Sequence, residues 1–312
     1  MILPRTRLFL ALIALLCVAS PTNLHAQQNT DTRVLNVTVT NSKDRIVLGL
    51  KPEHFTVTSE KVPLKIVSCD IDKSPISVGI VVDISSSVVP SSQQPSLSFR
   101  QRLASGISRF LEHSNPDNDY FLTLFDGRVS FTTDWTGNTV SIAEKLIAAE
   151  SKTGTALYDA LYYGVQHVAK KRHARHVLLV LSDGQDNTSK KTYNELFDAL
   201  KRSDVTLYAL GLLSSSDEGS ALGMEAQGVL DDLTAVTGGR ALFLQKSAKP
   251  EAINVAFENL ANELQSQYRL AIETEKTSSP QKWRKLNLKV SYQDDTGRRP
   301  EVRVRARKGF YR

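Results

Sequence analysis

Apolar positions along this chain change rhythm twice. From Arg33 to about Ser74 they fall in short alternating stretches broken by turn residues. Val34, Val37 and Val39 precede Asn41-Ser42-Lys43-Asp44, and then come Ile46-Val47-Leu48, Phe55-Thr56-Val57 and Leu64-Lys65-Ile66-Val67. A period of two marks half-buried strands, so residues 33–74 predict a small antiparallel β module with no helix of useful length. The polar residues just before it, 27–32, are expected to be an untethered lead-in. Between residues 75 and 265 the pattern becomes continuous apolar runs alternating with amphipathic stretches. Strands are predicted over 76–82, 120–125, 129–132, 177–181, 205–211 and 241–244, and helices over 97–113, 140–150, 156–170, 192–202, 222–237 and 251–265. That order specifies an α/β fold: a doubly wound, mostly parallel sheet with helices on both faces. Asp126-Gly127 ahead of Val129 predicts a hairpin, and hence one antiparallel edge strand. Alternation returns in residues 266–312, at Tyr268, Leu270 and Ile272, at Leu286, Leu288 and Val290, and at Val302, Val304 and Ala306. These last strands are expected to join the N-terminal ones in a β module flanking the α/β domain.

A chain of 312 residues with 41% hydrophobic and 23% charged residues has the composition of a folded protein, with room for one large core and a smaller one. Residues 1–26 are excluded from that fold. Arg5 and Arg7 precede an apolar stretch over 8–19, and Leu24-His25-Ala26 supplies a cleavage sequence, the layout of a secretory signal peptide removed after Ala26. The apolar stretch is short for a permanent membrane span, and no later one is long enough. A lipid anchor at Cys17 would want a small residue before it, and Leu16 is not one. Cys69 is then the only thiol of the mature chain, so no intrachain disulfide forms; it reads as a small buried residue at a strand end. The net charge of +6 includes Arg5 and Arg7, and without them it is unremarkable and implies no nucleic-acid partner. The basic cluster over 170–176 reads as a solvated helix end, and Arg303, Arg305 and Arg307 as one exposed face of an edge strand.

Chemistry concentrates where the predicted strands end. The first buried run stops at Asp83-Ile84-Ser85-Ser86-Ser87, a carboxylate and two hydroxyls in Asp-x-Ser-x-Ser spacing. Lys152-Thr153-Gly154-Thr155 puts Thr155 at the start of a helix, and Val177 to Asp183 ends a second buried run in a carboxylate. A doubly wound sheet brings such loops to one edge, where Asp83, Ser85, Ser87, Thr155 and Asp183 converge. Five oxygen donors with only two charges suit one octahedral Mg²⁺ or Mn²⁺ with a position left for a ligand. A cation so incompletely neutralised still attracts an outside carboxylate. Each of these residues is also an ordinary helix-cap type, but separate caps need not follow one ligand pattern. Asp186 fits a loop-stabilising turn residue better than a partner of the metal ligands.

The three segments together resemble the metal-ion-dependent adhesion site (MIDAS) of von Willebrand factor type A domains, and the spacing over 75–264 is similar to that family throughout. Ser86 stands where many members have glycine, which bears on loop freedom more than on the ligands. The flanks, from Val37-Thr38-Val39 to Gly49-Leu50-Lys51-Pro52-Glu53-His54-Phe55 and at Gln267-Tyr268-Arg269-Leu270 and Val304 to Phe310, resemble secreted type A-like proteins described from Acidobacteria.

Function is therefore expected to be metal-dependent capture of a protein or other acidic ligand outside the cytoplasm, in the secreted or periplasmic space. No Gly-x-Ser-x-Gly elbow surrounds the serines and no histidine pairs with an acid in hydrolase order, so no enzyme is expected. A structural or assembly component of a cell-envelope complex, and an accessory subunit of an enzyme, are the other classes compatible with the sequence.

Overall fold

The computed structural model describes residues 30–311 apart from 87, 89–97, 151–152, 171–172, 216, 218, 276–281 and 295. The expected signal peptide, Ser87, Lys171 and Arg172 lie outside the described residues. The chain runs through β1 (Thr30–Asn41), a single 3-10 turn at Pro52–His54, β2 (Phe55–Ser59), β3 (Val62–Leu64) and β4 (Ile66–Ile71). The α/β region follows as β5 (Ile76–Asp83), α1 (Phe99–Glu112), β6 (Asp119–Phe125), β7 (Val129–Thr132), α2 (Thr139–Ala148), α3 (Leu157–Val168), β8 (Arg175–Ser182), α4 (Tyr193–Arg202), β9 (Val205–Leu213), α5 (Ala221–Thr237), β10 (Ala241–Gln245) and α6 (Pro250–Leu264). β11 (Tyr268–Glu275), β12 (Trp283–Val290), β13 (Val302–Arg305) and β14 (Gly309–Tyr311) close it.

β5 and β9 are buried at every residue and β8 at all but one, because helices cover both faces of the sheet they form. Its order is β10-β9-β8-β5-β6-β7, parallel except for β7, which pairs antiparallel to β6 as the edge strand of the predicted hairpin. On one face Ile80, Val82, Leu122 and Leu179 pack with Leu103 and Phe110 of α1 and Phe257 of α6. On the other Val81, Phe121 and Val180 pack with Leu161 of α3, Leu196 of α4 and Leu230 of α5. The element types and order match the sequence pattern.

The two ends of the chain interleave in two four-stranded sheets, β13-β1-β11-β4 and β14-β12-β2-β3. They enclose a core of Leu35, Val37, Val39, Phe55, Val57, Tyr268, Leu270 and Ile272. Several local expectations fail here. Residues 30–32 are not a lead-in: Thr30, Asp31 and Thr32 pair with Glu275, Thr274 and Glu273. Val34 is 43% exposed, and Leu35 takes its place in the core. Ile46-Val47-Leu48 forms no strand; Ile46 makes one bridge to Thr40, Leu48 is exposed, and the Tyr268 hydroxyl accepts from Leu50 N at 3.0 Å and draws the chain away. Leu64 and Ile66 belong to different strands, β3 beside β2 and β4 beside β11. Cys69 lies within β4 and is only partly buried; burial, aided by Asp70 and Glu53, pushes its thiol up to about 11.

A polar seam joins this sandwich to the α/β region. Glu263 of α6, 1% exposed, meets Arg240 at 2.8 Å and Arg305 at 2.9 Å, and accepts from the Tyr208 hydroxyl at 3.0 Å. Arg175 donates to the carbonyls of Asp72 and Leu264 and to Gln267, whose amide donates to Thr38 of β1 and to Tyr208. Arg175 is therefore buried rather than part of a solvated helix end. Arg305 and Arg307 are likewise drawn inward, and only Arg303 has the exposed position expected of all three.

Candidate metal centre

The site grows from the ends of β5 and β8. These strands pair in parallel up to Val82 and Leu181, so one step further Ser182 stands beside Asp83. The Ser182 hydroxyl donates to Asp83 Oδ2 at 2.8 Å, and the Ser85 amide donates to Oδ1 at 2.9 Å. Asp83 is fully buried. Burial, together with the nearby Asp183 carboxylate, raises its pKa to about 7 against the lowering effect of these hydrogen bonds. A buried carboxylate within the field of another carboxylate favours a cation beside it.

Thr155, 3% exposed, reaches the same edge through backbone links. Ile84 N donates to the Phe125 carbonyl at 2.8 Å, and Ala156 N donates to that of Asp126 at 2.7 Å. Asn187 fastens Thr155 from the third loop: its Oδ1 accepts from Thr155 N at 2.9 Å, and its own N–H donates to the Thr155 carbonyl at 2.9 Å. Gly154 makes the turn at φ +89°, with room for a Cβ only 3.0 Å from Gly127 Cα and Thr188 Cγ2. Asp186 accepts from Tyr158 N at 3.2 Å and from the Ser189 hydroxyl at 2.5 Å, so it caps the start of α3 across the loops, in line with the loop-stabilising role.

Asp83, Ser85 and Asp183 thus lie together, with Thr155 on the adjoining loop; Ser87 lies outside the described residues. Among the described residues no three His, Cys, Asp or Glu side chains are grouped as a metal cluster. The donors here are two carboxylates and hydroxyls, a set that suits a hard cation such as Mg²⁺. Two residues were missed from sequence. Ser182 was legible in principle, since equal strand lengths place it beside Asp83. Lys246, just past β10, puts its ammonium 3.5 Å from Asp183 Oδ2, and no local motif announces it. Beside the loops a cleft of about 350 Å³ opens between Ile84, Leu124, Asp126 and Lys145.

The model of the von Willebrand factor type A domain matches residues 77–236, more than half of the chain. No curated protein matches it. Among solved structures, the conserved hypothetical protein BatB from Bacteroides thetaiotaomicron is 19% identical, with 61% of this chain and 100% of that one covered at a TM-score of 0.47. The von Willebrand domain of a type V pili tip protein from Porphyromonas gingivalis is 15% identical, covering 61% and 95% at 0.48. A von Willebrand factor type A protein from Catenulispora acidiphila is 11% identical, covering 89% and 73% at 0.47. None of these likenesses carries chemistry over to this chain.

Proposed function

Since the chain belongs to the von Willebrand factor type A domain family, we propose that Asp83, Ser85, Ser87, Thr155 and Asp183 hold one divalent cation, Mg²⁺ or Mn²⁺, and use it to capture a protein or other acidic ligand. Domains of this family typically mediate protein–protein adhesion or assembly. A bound cation would supply a hard Lewis-acid position for a ligand carboxylate. The chain's own residues do the rest. Ser182 and the Ser85 amide fix the Asp83 carboxylate, and Asn187 fixes the Thr155 loop against the loop after β8. The cleft at Ile84 and Lys145 gives flanking parts of a ligand a place to lie.

The buried, mutually repelling pair of Asp83 and Asp183 is the observation that carries this function. The leader with Arg5 and Arg7 supports export and a secreted or periplasmic site of action, and the flanking segments support a place in the secreted Acidobacterial group. Among the described residues no helix is long and apolar enough to cross a membrane. Affinity capture from the native envelope, with magnesium and with chelator, tests the function. Magnesium is expected to recover a ligand that Asp83→Ala and Ser85→Ala lose while keeping their fold. Equal capture in excess chelator would refute metal dependence.

A further inference from the structure

At the opposite end of the α/β sheet, one strand edge faces a cleft. β11 pairs with β1 from Thr30 to Val37, whereas β13 covers the other edge of β1 only from Thr38 to Asn41. Among the described residues, the β13-side edge of β1 over Asp31 to Val37 has no strand partner. An antiparallel strand turns alternate N–H and C=O pairs toward each edge, so this stretch presents unused ladder groups along about 20 Å. The same stretch walls a cleft of about 690 Å³ whose other sides include Arg175, Asp204, Arg307 and Phe310. Val34 and Asn36 share a side of β1 with Thr38, whose hydroxyl bonds to Gln267 on the α/β side. Asn36 Oδ1 is buried there with no hydrogen-bond partner.

Four arginines line this cleft, Arg33, Arg175, Arg269 and Arg307, against three aspartates, Asp31, Asp72 and Asp204, and Asp31 lies at its open, exposed end. Asp72 is within reach of both Arg175, at 3.7 Å, and Arg269, at 3.9 Å, so one carboxylate serves two guanidinium groups. Asp204, beside Arg307 at 3.4 Å, is 89% exposed and strongly screened. Arg33 lies over the Phe310 ring and donates to the Tyr311 carbonyl at 3.3 Å, and among the described residues it has no ion-pair partner. Burial depresses the Arg307 pKa, and Arg33 adds to that by repulsion. A carboxylate between Arg33 and Arg307 would offset that repulsion on Arg307.

We propose that this cleft is a strand-addition site for an extended acidic segment of a partner protein. The segment's main chain pairs with β1 between Asp31 and Asn36, and its carboxylates meet Arg33 and Arg307. β8 runs from Arg175 at this end to Ser182 beside Asp83, roughly 23 Å at about 3.3 Å per residue, so the site is separate from the candidate metal centre.

The test uses the full chain and three fluorescent pools of eight-residue peptides. The first alternates valine with threonine or aspartate, the second replaces aspartate by lysine, and the third is the aspartate pool N-methylated at alternate amides. The aspartate pool is expected to bind saturably, at least tenfold more tightly than the other two. It should slow amide exchange within residues 31–37, and chelator should not change its affinity. Arg33→Glu, and Arg33→Gln as the milder variant, should weaken it about tenfold at unchanged thermal midpoint. Absence of saturable binding by the aspartate pool would overturn strand addition. So would equal binding by the N-methylated pool, which would leave an anion site only, or protection confined to other strands.

Discussion

At Asp83 one buried side chain orders its own loop and stands ready to carry charge beside a second carboxylate. The hydroxyl of Ser182 and the amide of Ser85 settle its orientation, and the repulsion from Asp183 is what a cation would relieve. Lys246 already supplies part of that relief, since its ammonium is 3.5 Å from Asp183 and both side chains are largely buried. A tethered ammonium competes with a divalent ion for the same field. Lys246→Met, which keeps length and removes charge, is therefore predicted to tighten Mg²⁺ binding about tenfold, or about 1.4 kcal/mol, well inside the Coulomb energy of charges at this spacing. Calorimetric affinities of parent and variant check it, and an unchanged or weaker affinity would sink the competition. The nearness of Asp83 and Asp183 was legible in sequence because each ends an apolar run on neighbouring parallel strands. Lys246 was not, because the strand it follows lies two places from β8 in the sheet while being remote from it along the chain.

Among elements, the α/β strands were legible because burial on both faces leaves an unbroken apolar run, as in β5 and β9. The helices were legible from their amphipathic stretches, and some of them are also capped by side chains. α4 begins with Thr192 accepting from Glu195 N, and Glu195 accepting in return from Thr192 N. Lys191 and Thr192 hold the Glu195 carboxyl down at about 2, below its unfolded value of 4.5. Its contribution to α4 is thus full above about pH 4.5 and is lost as pH falls through about 2. Glu195→Gln is predicted to lower the thermal midpoint at pH 7, with the gap from the parent closing as pH approaches 2. A gap independent of pH would contradict the pairing. The short terminal strands were less legible. Arg305 and Arg307 alternate with apolar residues and so imitate an exposed face, yet their side chains reach Glu263 and the carbonyls of Leu200 and Ser203 on distant elements. β14 has three residues, too few to show a period.

At the scale of the whole molecule, the seam around Glu263 makes the terminal sandwich and the α/β region depend on each other. Glu263 forms ion pairs with Arg240 and Arg305, which arrive from different segments, and Asp44 from the turn after β1 pairs with both. Removing this buried acid leaves Arg240 and Arg305 only the half-exposed Asp44 as a partner, so Glu263→Ala is predicted to cost about 3 kcal/mol in urea unfolding. A loss below about 1 kcal/mol would mean that the seam is solvated and adds little. The seam holds the frame; the loops after β5 and β8 carry the proposed chemistry. Calorimetric titration of the full chain with Mg²⁺ tests that chemistry most directly. One equivalent is predicted to bind the parent, and none to bind Asp83→Ala whose circular dichroism is unchanged. Absence of binding to the parent, or undiminished binding to the variant, would contradict the account.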